Sequence, residues 1–120
     1  MLDNCGVPAG VTRRLAQRLV KHGITPRRLV VAATHTHNAP SLVGYAKVVW
    51  AGRMSPAQKK RMAEYTTFAI DRMESAVLRA LKNRQLMQLE WAQGRVGFGG
   101  NRRVLNNGKW AGFGFQRNGP

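Results

Sequence analysis

The sequence predicts an α/β chain, a layered sheet-and-helix fragment, and three observations lead there. The run Leu29-Val30-Val31-Ala32-Ala33 is apolar at every residue, which suits a strand buried on both faces. Two stretches, 11–22 and 56–83, repeat apolar residues at three and four, the spacing of amphipathic helices. Both ends also read as cut: Met1-Leu2 looks like the close of a strand, and Asn118-Gly119-Pro120 is a turn with no element after it. Residues 1–120 are therefore expected to form a partial domain, truncated at both ends. With 43% hydrophobic residues, one core is expected and two domains are not.

The elements follow in order. Val11, Leu15, Leu19 and Val20 share a helical stripe, and Gly23 is placed to end it in a left-handed cap. The apolar strand 29–34 comes after the turn at Thr25-Pro26. Residues 38–54 hold Pro40, Gly44 and Gly52 without a clean period, so a long loop with one short helical turn is expected. Ser55-Pro56 then supplies an N-cap and a proline at the first helical position for the helix 56–83. Met87, Leu89 and Trp91 alternate with polar or small residues, as in a half-exposed strand. The glycine-rich 95–102 is expected to bring backbone close to another element, and Asn106-Asn107-Gly108-Lys109 predicts a hairpin turn.

Twenty Lys and Arg against five Asp and Glu give a formal charge of +15. Such a surface would attract phosphate, nucleic acid or an anionic membrane before any specific contact formed. The basic residues never gather into a block of five or six, so a solvated basic surface is expected, with no specific nucleic-acid partner. A small basic nucleic-acid or polyanion-binding module is the alternative, supported by the charge and by Trp50, Trp91, Trp110 and Tyr45; the aromatics also fall at core spacing. No run of eighteen apolar residues and no secretory leader pattern is visible. The one cysteine, Cys5, rules out an internal disulfide framework and is expected to be a buried structural thiol at a strand end, with no His following nearby to activate it.

The chemistry concentrates where the apolar strand ends in Thr34-His35-Thr36-His37. Two histidines two apart on an extended backbone face the same side, within reach of one metal ion or one substrate. The carboxyl edge of a strand is also where open α/β sheets bind ligands. Zinc hydrolysis asks for about three protein ligands and a position for water. His22 sits in the last turn of a helix, where it favours the dipole. Glu64, Asp71 and Glu74 share the long helix and are expected to be solvated charges beside Arg61 and Arg72. Asp3, at the end of the first strand, is the carboxylate expected nearest His35.

Three known arrangements begin with His-X-His. The metallo-β-lactamase pattern needs an Asp and a His where this chain has Ala39 and Pro40. Amidohydrolase barrels need a regular βα repeat, which the loop 38–54 does not suggest. The third fits better: residues 33–40, Ala-Thr-His-Thr-His-Asn-Ala-Pro, closely resemble the Thr-His-Thr-His-Ser-Gly-Pro segment of the neutral/alkaline non-lysosomal ceramidase family. The order of elements and the Asn101-Arg102 pair after a glycine run agree with it. Asn38 and Ala39 depart from the Ser-Gly of the family, and Arg103-Val104 stands where Ser-Pro is usual.

The resemblance covers nearly the whole chain and implies a zinc-dependent amide hydrolase acting on ceramide or another N-acyl amide. It implies a larger β-sheet sandwich flanked by helices, of which this chain would be part. His35 would be a Zn2+ ligand, His37 would stand beside the metal to position the amide oxygen or the water, and Arg102 would line the site. The family's remaining ligands, a His, a Glu and a Tyr, would come from segments beyond this chain, leaving the isolated chain inactive. Family members are often secreted or membrane-associated.

Overall fold

Val11, Leu15 and Leu19 fall on one stripe of helix α1 (Ala9–Leu19), and all three are buried. The helix begins two residues earlier than the apolar period predicts, directly after Pro8, and tightens into a 3-10 turn over Val20–His22. Gly23 then takes φ +80°, and its N–H donates to the Val20 carbonyl at 2.9 Å. A side chain there would be strained, which is why the helix stops where the glycine stands.

The computed structural model describes residues 1–50, 52–97 and 101–116, divided into two units, Met1–Gln85 and Leu86–Pro120. In the first unit α1 packs on the long helix α3 (Pro56–Lys82), joined by a loop that contains the short helix α2 (Lys47–Trp50). The N-terminus of α3 is a reciprocal cap: Gln58 N donates to Ser55 Oγ at 3.3 Å, and Ser55 N donates to Gln58 Oε1 at 2.8 Å. Ser55 and Pro56 were legible as a start signal; the return bond from Gln58 completes it.

The core of this unit joins Val11, Leu15 and Leu19 of α1 to Ala69 and Ile70 of α3, with Leu42 inserted from the loop. Each large aliphatic side chain so buried contributes roughly 1.5–3 kcal/mol relative to exposure. Thr66 ties the loop to α3: its hydroxyl accepts from Val43 N at 2.9 Å and donates to the Met62 carbonyl at 2.7 Å. Arg18 of α1 reaches Asp71 at 2.6 Å and Glu74 at 3.0 Å on α3. Those two carboxylates are thus held by a neighbouring helix and are not the free solvated charges expected beside Arg61 and Arg72. The two carboxylates raise the Arg18 pKa above its ordinary value, Asp71 chiefly, against a smaller opposing effect of burial. Glu64 keeps only a long contact of 4.0 Å with Lys60.

The apolar run 29–33 differs from the fully buried strand its composition predicts. It meets the N-terminal segment in a single parallel bridge, Leu2 with Ala33. Leu29 and Val31 pack on the core while Val30 is 89% exposed, so only one face is covered. A strand needs neighbours on both edges and layers on both faces to bury every residue, and one short segment supplies neither.

In the second unit Asn107 (φ +49°) and Gly108 (φ +74°) turn the chain between β1 (Asn101–Asn106) and β2 (Lys109–Gln116), an antiparallel hairpin as predicted. Two positive φ values in succession mark a type I′ turn, whose twist matches the strands it joins. The strand expected over 87–91 is not formed; Leu89 and Trp91 are 96% and 88% exposed, with no partner strand beside them among the described residues. Trp91 and Trp110 also stand on the surface rather than at core positions. Of the glycine-rich 95–102, Gly97 has nothing within 4 Å of where a Cβ would stand, so no close approach is made there, and 98–100 lie outside the described residues, as does the closing turn at 118–120.

The class is therefore mixed α and β, as predicted. Among the described residues the only ladder is this two-stranded hairpin, and no larger sandwich is present. Among the described residues no helix is long and apolar enough to cross a membrane.

Candidate metal centre

Three backbone hydrogen bonds align the N-terminal segment with the strand end. Leu2 N donates to the Ala32 carbonyl at 2.9 Å, Thr34 N to that of Leu2 at 3.1 Å, and Thr36 N to that of Asn4 at 3.2 Å. This parallel register carries the chain past Asp3 and brings Cys5, not Asp3, level with His35. Asp3 is exposed.

Asn4 anchors the segment from the other side. It is 1% exposed, and its Nδ2 donates to the Pro40 carbonyl at 2.9 Å, with a longer contact of 3.4 Å to the Tyr65 hydroxyl. Its Oδ1 is buried without a hydrogen-bond partner among the described residues. The two sides of Asn4 thus link the first strand, the loop after the histidines and α3.

His35 occupies the left-handed region at φ +62°. A non-glycine residue there costs on the order of 1–3 kcal/mol unless its surroundings hold it, and such positions gather at functional sites. What holds it is plain: His35 Nδ1 lies 2.7 Å from the Cys5 carbonyl oxygen. A carbonyl only accepts, so Nδ1 carries the proton and Nε2 keeps the lone pair. The Cys5 sulfur is 3.8 Å from the same nitrogen, a near neighbour rather than its partner.

His35 and His37 meet edge to face, ring centroids 4.6 Å apart at 82°. The expected proximity holds, but a turn at His35 produces it, in place of a continuous extended strand. Thr34 and Thr36 hydrogen-bond to each other at 2.7 Å. Cys5 completes the group. One donor atom from each of Cys5, His35 and His37 lies within 4.8 Å of the other two, so the three could hold a metal ion.

Cys5 has a further neighbour in the Tyr45 hydroxyl at 2.9 Å, reached from the loop. Either group can donate while Cys5 is a thiol; a thiolate could only accept, and the phenol would then donate. That hydrogen bond, with burial adding to it, raises the Tyr45 pKa above the usual phenol value. The ring lies against Gly6, where a Cβ would stand 2.4 Å from Tyr45 Cε2; only glycine lets the phenol sit so close to the sulfur.

Sequence reasoning missed Cys5 and Tyr45. It looked for an activating His after Cys5 in the chain, whereas the partner comes from thirty residues on. The reading of Met1-Leu2 as the close of a strand was the available signal, since pairing it in parallel with the strand 29–34 runs residues just past Leu2 beside residues just past Ala33. Arg102 lies on β1 in the second unit, exposed to solvent.

Beside the cluster, Pro40, Ser41, Met54, Gln58, Met62 and Tyr65 line an apolar cavity of about 360 Å³, with Arg61 also in its wall. Pro40 and Tyr65 are the two groups that receive the Asn4 amide. Searches of protein-family models, of curated proteins and of solved structures return no match to this chain.

Proposed function

We propose that this chain forms one corner of a zinc-dependent amide hydrolase of the ceramidase type, acting on N-acyl amides. The observation that carries the reading is the meeting of His35 and His37 at the end of the apolar segment, with a third donor beside them. The donor set is imidazole and sulfur, which suits zinc and excludes magnesium or calcium, whose ligands are oxygens. When bound there, zinc would polarise an amide carbonyl and make water acidic enough to attack near neutral pH.

The chain's own residues divide the work. His35, its Nδ1 proton fixed on the Cys5 carbonyl, presents Nε2 as a ligand. His37 stands against that ring and would hold a proton for the amide oxygen or orient the attacking water. The open, largely apolar pocket lined by Pro40 and Tyr65 would take the acyl chain of a ceramide-like substrate. The role of Arg102 rests on the family resemblance alone. On this reading the Leu2–Ala33 pairing is the start of a sheet layer in a larger sandwich, and further ligands come from chain beyond these residues.

The direct test is zinc content of the purified chain before and after His35→Ala. The reading expects zinc in the first and little in the second; equal zinc in both would sink the ligand role. Fatty-acid release from N-acyl amides tests the chemistry separately, in a form that carries the flanking segments, with His37→Ala expected to lose turnover.

A second reading, binding of a polyanion, gains one observation. Trp110 and Phe113 meet edge to face at 5.9 Å on the hairpin surface, next to Lys109. Exposed aromatics beside basic residues suit base stacking. Nucleic-acid affinity falling steeply with salt, together with no zinc uptake, would favour it.

A further inference from the structure

We infer that Cys5 is a metal ligand, so that this chain alone supplies a three-donor Cys-His-His site, in which His37 donates to the metal in place of the role beside it given above. The inference rests on the metal-binding part of the function proposed above and not on amide hydrolysis. A site of His35 and His37 alone would leave this chain two donors, too few to retain zinc against buffer and water. A sulfur changes that, because thiolate is among the strongest zinc donors a protein offers.

The geometry is close to what zinc needs. Zinc–sulfur and zinc–nitrogen bonds of about 2.3 and 2.0–2.1 Å place tetrahedral ligands about 3.3–3.8 Å apart. One donor atom of each residue lies within 4.8 Å of the other two, a separation that side-chain rotation can close, with His35 presenting Nε2. The cysteine and one histidine are also already coupled through backbone: the Cys5 carbonyl fixes the His35 tautomer from the same residue that brings the sulfur.

The surroundings suit a thiolate. The Tyr45 hydroxyl lies 2.9 Å from the sulfur and would donate to it once the sulfur is a thiolate, the kind of outer contact that steadies a metal-bound thiolate. Cys5 is half-buried and both histidines are exposed, so an ion has a way in from solvent. Binding would convert the Cys5 thiol to thiolate and release its proton to solvent, making affinity rise with pH. Three protein donors leave one tetrahedral position for water or substrate, the pattern of catalytic rather than structural zinc.

The test uses the full chain and cobalt(II), which substitutes for zinc and is coloured. Wild type should show a sulfur-to-cobalt charge-transfer band in the near ultraviolet, and Cys5→Ser should lose the band and bind at least about tenfold more weakly. Should the serine variant fold poorly, wild type suffices. Cys5 is the chain's one cysteine, so its alkylation by iodoacetamide reads out unambiguously by mass. Zinc should slow that alkylation by about tenfold or more, and EDTA should restore it. Cobalt binding without the sulfur band, or alkylation unaffected by bound zinc, would overturn the Cys5 assignment while leaving the histidines as ligands. No metal uptake by any form would overturn both this and the zinc reading. A sulfur band in this chain, with no amide hydrolysis by the form that carries the flanking segments, would support the site and refute only the hydrolase.

Discussion

His35 Nδ1 donates to the carbonyl of Cys5 across 2.7 Å, a hydrogen bond between residues thirty apart in sequence. It holds an imidazole on a backbone that disfavours side chains, and it brings the one thiol of the chain beside both histidines of the strand end. The first prediction follows from that bond. His35→Val places a β-branched residue at φ +62° without the compensating contact and should destabilise the first unit by about 1–3 kcal/mol. His35→Asn, which tolerates the left-handed region, should cost less. Urea unfolding of both variants measures the difference, and equal losses would remove backbone strain as its cause.

Tyr45 should titrate above the ordinary phenol range in the metal-free chain, chiefly because of its hydrogen bond with Cys5. A phenol whose pKa is raised on folding adds stability that is fully present below its unfolded pKa and is lost as pH rises through the folded one. Cys5→Ala removes the main cause. The Tyr45 titration, followed by NMR of the labelled ring, should then move down, and the alkaline loss of stability should shrink.

Gly6→Ala should displace Tyr45, because the new methyl would stand 2.4 Å from a ring carbon. The ring carbon cannot yield without moving the hydroxyl off the sulfur. The expected result is faster alkylation of Cys5 and a Tyr45 titration nearer the ordinary value. An unchanged alkylation rate would mean that the phenol does not shield the thiol.

Thr66→Val should cost about 1–3 kcal/mol, since it keeps the shape of the side chain but leaves the Val43 amide without its acceptor. Thr66→Ser keeps the hydroxyl and should lose less. Because Val43 belongs to the loop that carries Tyr45, amide exchange between residues 42 and 46 should quicken in the valine variant.

Ile70→Ala should be the more severe change, about 2–5 kcal/mol, as this α3 side chain is fully buried in the cluster with Val11, Leu15, Leu19 and Leu42. Thermal melts of the full chain report it directly.

The helices and the hairpin could be read in the sequence because their signals are local. Ser55 and Pro56 cap what they precede, Gly23 ends what it follows, and Asn107-Gly108 turns the chain within two residues. The site was half legible for the same reason. His35 and His37 are neighbours in sequence, whereas Cys5 and Tyr45 reach them only through register and through the loop's fold. Asp3 was expected nearest His35 because it ends the first strand, and a shift of two residues along a parallel pair is invisible without its hydrogen bonds. The strand expected at 87–91 fails for a related reason: Met87, Leu89 and Trp91 have the right alternation, but a ladder also needs a partner, which no alternation can supply.

The Leu2–Ala33 bridge carries a kinetic consequence. It closes a loop of some thirty residues, and contacts of that separation form after local helices, once the entropy of closure has been met. The donors of the cluster therefore converge late, when α1 has docked and the N-terminal segment has come to lie beside residues 32–36. Burst-phase metal capture during refolding would be absent, and the rate at which Cys5 becomes protected would clock completion of the first unit.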